Sequence, residues 1–373
     1  MNIIRNVLLL SCSTGEGHNS AAYAIENELK KMGCRHSHAD PVSFRSERSK
    51  ELVASLYNNM IKKSPSVFGM VYKIGDIYQK TGIISPVYLA NASYADKLAR
   101  FITSNQFDAV ICTHLYGMEA MTALLRRGMR IPTYGVLTDY TCIPFTGETK
   151  LGKYFIPHES LIEEAVKKGI PEEKITVSGI PTASEFSEKI GTEEAREKLG
   201  LPKDRKIYLT MTGGVGCENM VGFCETLAEK ETDKNYLQLV LTGNNKSMKE
   251  RLDEKYAGSE NIKTVAFTRQ IHLYMKASNV MVTKPGGLSS TEAAVANVPL
   301  VQVNAIPGCE SENVRFFSER GMSFYAKNNK EAAEMAIRLS EDRELCERMK
   351  ENQSRFVYAD AARKIAEEVV RGE

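Results

Sequence analysis

Short apolar runs of strand length alternate with amphipathic stretches along almost the whole chain. Residues 7–11 form the first run, and the stretch after it carries Ala22, Ile25, Leu29 and Met32 at helical spacing, so a strand followed by a one-faced helix is expected. Residues 108–113 and 133–139 read as further strands around a helix near 117–127. A second series begins near residue 180. After a strand at 175–177 and a charged helix over 192–199, strands at 207–212, 236–242, 262–266, 279–283 and 299–303 alternate with helical patterns. Strand and helix in regular alternation predict parallel sheets covered by helices, an α/β fold class. The boundaries expected are 1–180, 181–345 and a C-terminal helix, 346–373, that is a candidate to cross back to the first domain. Residues from about 342 onward form one long polar helical pattern.

The interval 44–104 interrupts this alternation. Tyr57, Phe68 and Tyr72 stand there among aliphatic residues and Lys62, Lys63, Lys73 and Lys80. Such interleaving suits either a helical insertion that meets an anionic membrane or amphipathic substrate, or a helical hairpin with a solvated basic face.

A length of 373 residues exceeds what one hydrophobic core supports, which agrees with two domains. Lys and Arg total 49 against 47 Asp and Glu, a net charge of +2, so a protein dedicated to nucleic acid is not expected. The eight cysteines form no CxxC pair and several lie in apolar runs, the usage of reduced thiols in the cytoplasm. No apolar run reaches membrane-spanning length, which points to a soluble or peripheral protein.

Candidate chemistry concentrates where strands end. Residues 283–313, TKPGGLSSTEAAVANVPLVQVNAIPGCESEN, take a strand into a glycine turn at Gly286 and Gly287, and then into a helix expected to begin near Ser289 or Ser290 with Glu292 in its first turn. Free N–H groups and the positive dipole end of such a helix suit phosphate. The polar loop expected at 307–313 offers Glu310 and Asn313 to hydroxyl groups, so the segment reads as a pocket for a nucleotide sugar. Gly213 and Gly214 lie in a second glycine loop after a strand, able to cradle phosphate or sugar. Phe267 and Thr268 follow another strand, where a base could lie. No GxxxxGK[ST] sequence occurs. The chain also has no DxD, so no metal is expected on the donor diphosphate; helix N-termini, hydroxyls and Lys284, with Ser289, Ser290 and Thr291 nearby, would have to neutralise it.

In the first half, Ser13-Thr14-Gly15-Glu16-Gly17-His18 joins the first strand to the first helix. Gly15 and Gly17 permit close backbone approach, and His18 has the intrinsic pKa of a general base. Ser20 stands where a dinucleotide fingerprint needs glycine, so NAD is not expected. Asp139 follows a strand in the same domain and either orients His18 or serves as a turn residue. His36 and His38 alternate on a probable surface strand, with no third metal ligand in sight.

These segments together resemble the glycosyltransferase family of monogalactosyldiacylglycerol synthases and processive diacylglycerol glucosyltransferases. The resemblance is carried by LLLSCSTGEGHNSAAYAIENEL, VLTDYT at 136–141, GIPT at 179–182, LTMTGG at 209–214 and TKPGGLSS through PGCESEN. It implies a GT-B fold, with two Rossmann-like doubly wound domains facing a central cleft, a UDP-sugar donor, inversion, and a lipid acceptor at the cytoplasmic membrane face. It also implies His18 as base with Asp139 beside it, Glu292 on the ribose, Glu310 and Asn313 on the sugar, Gly213 and Gly214 in the second glycine loop, and Phe267 at the uracil. With the family in view, the 44–104 insertion becomes a candidate lipid-docking element. The donor loop departs from the galactolipid synthases, which carry Pro-Gly-Pro-Gly-Thr where this chain has Pro-Gly-Gly-Leu-Ser-Ser.

Overall fold

The computed structural model describes residues 3–12, 16–46, 70, 72, 74–75, 77–78, 81–211 and 219–372. They fall into two compact units. Residues 1–184, 306–309 and 358–373 make the first, and residues 185–305 and 310–357 the second.

The first unit is built on six parallel strands: β1 Asn6–Leu10, β2 Arg35–Ala39, β3 Ala109–Cys112, β4 Thr133–Val136, β5 Lys153–Ile156 and β6 Ile175–Val177. Their order is β2-β1-β3-β4-β5-β6. The alternation of side chains sends Leu8 and Leu10 to one face, with Met118, Met121 and Leu124 of the helix Leu115–Arg126. Val7 and Leu9 go to the other, with Ile25 and Leu29 of the helix Glu16–Lys31. Each such fully buried aliphatic side chain stabilises the unit by roughly 1.5–3 kcal/mol. From β1 the chain runs outward to β2 and returns across to β3, so the winding direction reverses between β1 and β3. Crevices at the carboxyl ends of such strands are where open α/β sheets bind ligands.

The second unit repeats the design with β7 Lys206–Met211, β8 Tyr236–Gly243, β9 Ile262–Ala266, β10 Val280–Thr283, β11 Leu300–Val303 and β12 Phe324–Ala326, in the order β12-β11-β10-β7-β8-β9. Here the reversal falls between β7 and β10, which pair directly from Val280–Tyr208 to Thr283–Met211.

Several expectations change. The long C-terminal helical pattern resolves into two helices, Arg343–Phe356 and Ala361–Arg371. Their apolar faces serve different cores: Met349 is buried in the second unit, whereas Ile365, Ala366 and Val369 pack in the first. The strand expected over 133–139 stops at Val136, which leaves Asp139 in the following turn. Within the interrupting segment, helices Pro86–Ala92 and Ala95–Ser104 are core elements, with Tyr88, Tyr94, Leu98 and Ile102 buried on the β1 face. Tyr57 and Phe68 lie outside the described residues, and Tyr72 is half-buried. β2 is an edge strand, where His36 sits 3.2 Å from Glu26 and His38 meets Tyr23 edge-on. Among the described residues no group of His, Cys, Asp and Glu side chains could hold a metal ion, and no helix is long and apolar enough to cross a membrane.

Candidate active site

His18 occupies the first turn of the helix Glu16–Lys31, directly after β1, so the β1/β3 reversal lies beneath it. Its Nδ1 is 2.9 Å from the Thr113 carbonyl oxygen at the end of β3 and 2.9 Å from Thr138 Oγ1 after β4. A carbonyl oxygen can only accept, so Nδ1 carries the proton and Nε2 keeps a lone pair. Thr113 returns a bond from Oγ1 to the His18 carbonyl at 3.0 Å, and Ser11 Oγ donates to Asn19 Oδ1 at 2.7 Å. These links hold the helix start onto the strand ends. Burial lowers the His18 pKa below its ordinary value, more than the Thr113 bond raises it, so the ring is neutral at neutral pH.

The imidazole lines a small cavity with Asp139, Thr138, Thr141, His114, Leu115 and Ile143. Asp139 thus shares the cavity, but orientation of Nδ1 falls to Thr113 and to Thr138, the residue preceding Asp139. Gly17 lies in the helix beside His18, and Gly15 is outside the described residues. The turn that carries Thr138 and Asp139 is anchored from behind. Glu164 accepts from Thr141 Oγ1 at 2.7 Å and from Cys142 N at 3.0 Å, and Lys168 donates to the Cys142 carbonyl.

In the second unit, the residues after β10 form the other candidate pocket. The helix begins at Gly287, two or three residues earlier than expected, with Gly286 as an extended N-cap that offers no side-chain acceptor. Its first N–H groups therefore meet no capping side chain, the arrangement that suits an anion. The early start moves Glu292 from the first turn to the second. Burial pushes its carboxyl pKa up to about 8, so at neutral pH the group is mostly protonated and able both to donate and to accept.

Residues 310–313 also differ from expectation: they lie in a helix, Cys309–Glu319, rather than a loop. Glu310 and Asn313, three apart, consequently share one helical face. Lys284 Nζ lies 3.1 Å from Glu310 Oε1, and Asn313 Nδ2 donates to the Pro285 carbonyl at 3.0 Å. Both contacts reach the segment between β10 and the helix Gly287–Val295, so the structure brings Lys284, Gly286, Gly287, Glu310 and Asn313 together. Ser289 is half-buried beside them.

The Ser290 side chain is turned into the core. Its hydroxyl is fully buried and accepts from Gln302 Nε2 at 2.8 Å, a core bond continued by Ser323 to Gln302 Oε1. Thr291 likewise donates inward, to the Gly287 carbonyl. Phe267 follows β9 as an exposed ring, 60% accessible, and Thr268 Oγ1 accepts from Gln270 N at the following turn. Gly213 and Gly214 lie outside the described residues.

Sequence reasoning missed Thr113, His114 and Thr138. The available signal was position: each follows the carboxyl end of a parallel strand, as His18 does.

The profile of the monogalactosyldiacylglycerol (MGDG) synthase family matches residues 18–182, and that of glycosyl transferases group 1 matches residues 191–356. Together these matches make the chain a glycosyltransferase whose first half is similar to MGDG synthases. The processive diacylglycerol beta-glucosyltransferase of Bacillus licheniformis is 28% identical over 360 residues, covering 94% of this chain and 91% of that protein. The Bacillus subtilis protein of the same name is 26% identical over 379 residues, covering 100% and 96%. Among solved structures, MurG of Acinetobacter baumannii superposes with a TM-score of 0.65 at 13% identity, covering 99% of this chain and all of that one. The UDP-GlcNAc 2-epimerase of Neisseria meningitidis, solved with UDP-GlcNAc bound, gives 0.61 at 15% identity, covering 98% and 100%. These structural likenesses establish the GT-B fold of this glycosyltransferase.

Proposed function

We propose that this enzyme transfers a hexose, with inversion and without a metal ion, from a UDP-sugar to the hydroxyl of diacylglycerol or a glycosyl-diacylglycerol. The acceptor oxygen forms its bond to the anomeric carbon while the bond from that carbon to the diphosphate oxygen breaks. The bonding electrons leave with UDP, and the hydroxyl proton passes to His18 Nε2. The observation that carries this reading is the tautomer of His18: its Nδ1 proton is committed to the Thr113 carbonyl, so a basic nitrogen remains beside the cavity. A neutral imidazole positioned in this way is suited to general-base catalysis.

In the second unit the helix start at Gly287 and the Lys284 ammonium supply positive potential for the departing diphosphate. Glu292 binds the ribose, Glu310 and Asn313 the hexose, and Phe267 the face of the base. The curated relatives' names supply the acceptor class. Exposed Met70, Ile74, Ile77, Ile83, Ile84 and Leu89 give the inserted segment an apolar surface for a bilayer that holds the acceptor.

UDP-glucose, UDP-galactose and UDP-N-acetylglucosamine, each offered with diacylglycerol vesicles and with buffer alone, test the reading by lipid mass spectrometry and UDP release. Glycosyl-diacylglycerol, with UDP released only when lipid is present, is the expected result. Isomerised donor without lipid would instead identify an epimerase, and UDP binding with no product under any condition a non-catalytic binder.

A further inference from the structure

β11 is buried along its whole length, yet it carries a glutamine. Val301 and Val303 pack into the apolar core of the second unit, and the alternation of side chains turns Gln302 to the opposite face of the sheet, against the helix Gly287–Val295. The register sets Gln302 beside Thr283, the last residue of β10, and beside Tyr325 of β12. Its amide is fully buried and bonded at both ends. Ser323 Oγ, just before β12, donates to Oε1 at 2.9 Å, and Nε2 donates to Ser290 Oγ at 2.8 Å. Desolvating an amide here costs free energy that a leucine or methionine would not incur, so the residue is accommodated only because both ends are bonded.

The helix that receives this bond has little else to fix it. Its buried residues are Gly287, Leu288, Ser290, Thr291, Ala293 and Ala294, of which only Leu288 has a large apolar side chain. Contacts between small side chains define the position of a helix along and about its axis weakly, whereas a hydrogen bond defines it in both distance and direction. Ser290 N–H reaches the Gly286 carbonyl at 3.0 Å and so closes the first turn. The N–H groups of Gly287, Leu288 and Ser289 have no acceptor within the helix. The bond from Gln302 thus fastens the turn that carries them.

We propose that Gln302 is a positioning residue for the donor diphosphate, acting through Ser290 to set where these N–H groups point. Ser323 fixes which end of the amide faces the helix. The helix start is thereby held to β11 and β12 as well as to β10, from which the chain enters it. Donors aimed in advance need no reorganisation when charge develops on the departing diphosphate. Gln302 itself stays in the core and does not touch the donor. This inference rests on the reading of the same pocket as a nucleoside diphosphate site.

Calorimetric titration with uridine and with UDP isolates the phosphate-dependent part of the affinity, and thermal midpoints report stability. Gln302→Met keeps the side-chain volume and removes both bonds; Ser290→Ala removes one partner and carries the test if Gln302→Met does not fold. Gln353→Met is the matched control. Gln353 is as deeply buried, and its Nε2 bonds the Val298 and Met322 carbonyls at 3.0 Å each, at the amino end of β11. Gln302→Met and Ser290→Ala are each expected to weaken UDP binding roughly three- to tenfold while uridine affinity stays within about twofold. The double variant should lose no more than Gln302→Met alone, because both changes break one bond. Gln353→Met is expected to lower the midpoint and keep the native ratio of UDP to uridine affinity. An unchanged ratio in either folded variant, additive losses, or the same loss of ratio in Gln353→Met would overturn the positioning role. A native chain that binds UDP no more tightly than uridine would instead remove the diphosphate site on which the role depends.

Discussion

Lys284 Nζ lies 3.1 Å from Glu310 Oε1, tying the segment after β10 to the helix Cys309–Glu319 with an ion pair whose carboxylate side is only 9% exposed. The pair joins two elements of the pocket proposed for the donor, and in that proposal the ammonium that fixes Glu310 also meets the diphosphate.

Lys284→Met removes the cation and leaves a mostly buried carboxylate without that partner. We expect a loss of about 1–3 kcal/mol in unfolding free energy and a roughly tenfold weaker UDP affinity. Denaturant unfolding and calorimetric UDP titration measure the two effects. Adding Glu310→Gln to Lys284→Met is expected to restore stability but not UDP affinity; recovery of both would mean that Lys284 acts on nucleotide only through Glu310.

His18→Ala is expected to reduce kcat by roughly two or more orders of magnitude. Thr138→Val, which removes one of the two groups at Nδ1, should cost about tenfold by loosening ring orientation. Because burial lowers the His18 pKa, the basic form persists to pH values below the ordinary imidazole range. The acid limb of the native kcat/KM profile for the lipid acceptor, taken at saturating UDP-sugar, should therefore lie below about 6.5. A limb above that value would show that another group controls the rate.

Glu292 carries a carboxyl pKa of about 8. If ribose hydroxyls donate to its carboxylate, the bound state prefers the ionised form and UDP binding expels a proton at pH 7. UDP affinity should then rise with pH up to about 8 and level off, and calorimetry in buffers of different ionisation enthalpy should register proton release. Glu292→Gln abolishes both signals. Proton uptake in the native protein would reverse the assigned role.

Glu119 lies fully buried in the helix Leu115–Arg126 and accepts from Asn91 Nδ2 at 2.5 Å. Burial, with Glu148 adding to it, pushes its carboxyl pKa up to about 9. A carboxyl whose folded pKa exceeds its unfolded value contributes stability fully below the unfolded pKa and loses it as pH rises toward the folded one. The native protein should therefore lose stability between pH 5 and pH 8.5 relative to Glu119→Gln, whose amide oxygen still accepts from Asn91. Urea unfolding at the two pH values tests the sign, and parallel curves would contradict it.

The alternation of apolar runs was sufficient to define two parallel α/β sheets, because strands buried on both faces, such as β1 and β7, read as continuous hydrophobic stretches. β5 and β12 were not read from the sequence: each is a short segment, KYFI and FYA, beginning with a partly exposed residue. Likewise, glycines between a strand and a helix pointed to both candidate pockets, since close backbone approach favours them locally. The sequence also placed His18, Lys284, Glu310 and Asn313 near strand ends.

Partnership was another matter. Which atom orients His18 depended on Thr113 and Thr138, 95 and 120 residues away, and no local pattern encodes contacts at that separation. Tertiary packing also turned Ser290 into a core hydroxyl and split the C-terminal helical pattern between two cores. It placed His114 against His18 by pairing β3 with β1. The chain's own pattern thus determined the elements and the residue types at their ends, because those follow from local periodicity and backbone freedom. The folded sheets alone decided protonation, orientation and availability, because these depend on which distant groups share the same buried space.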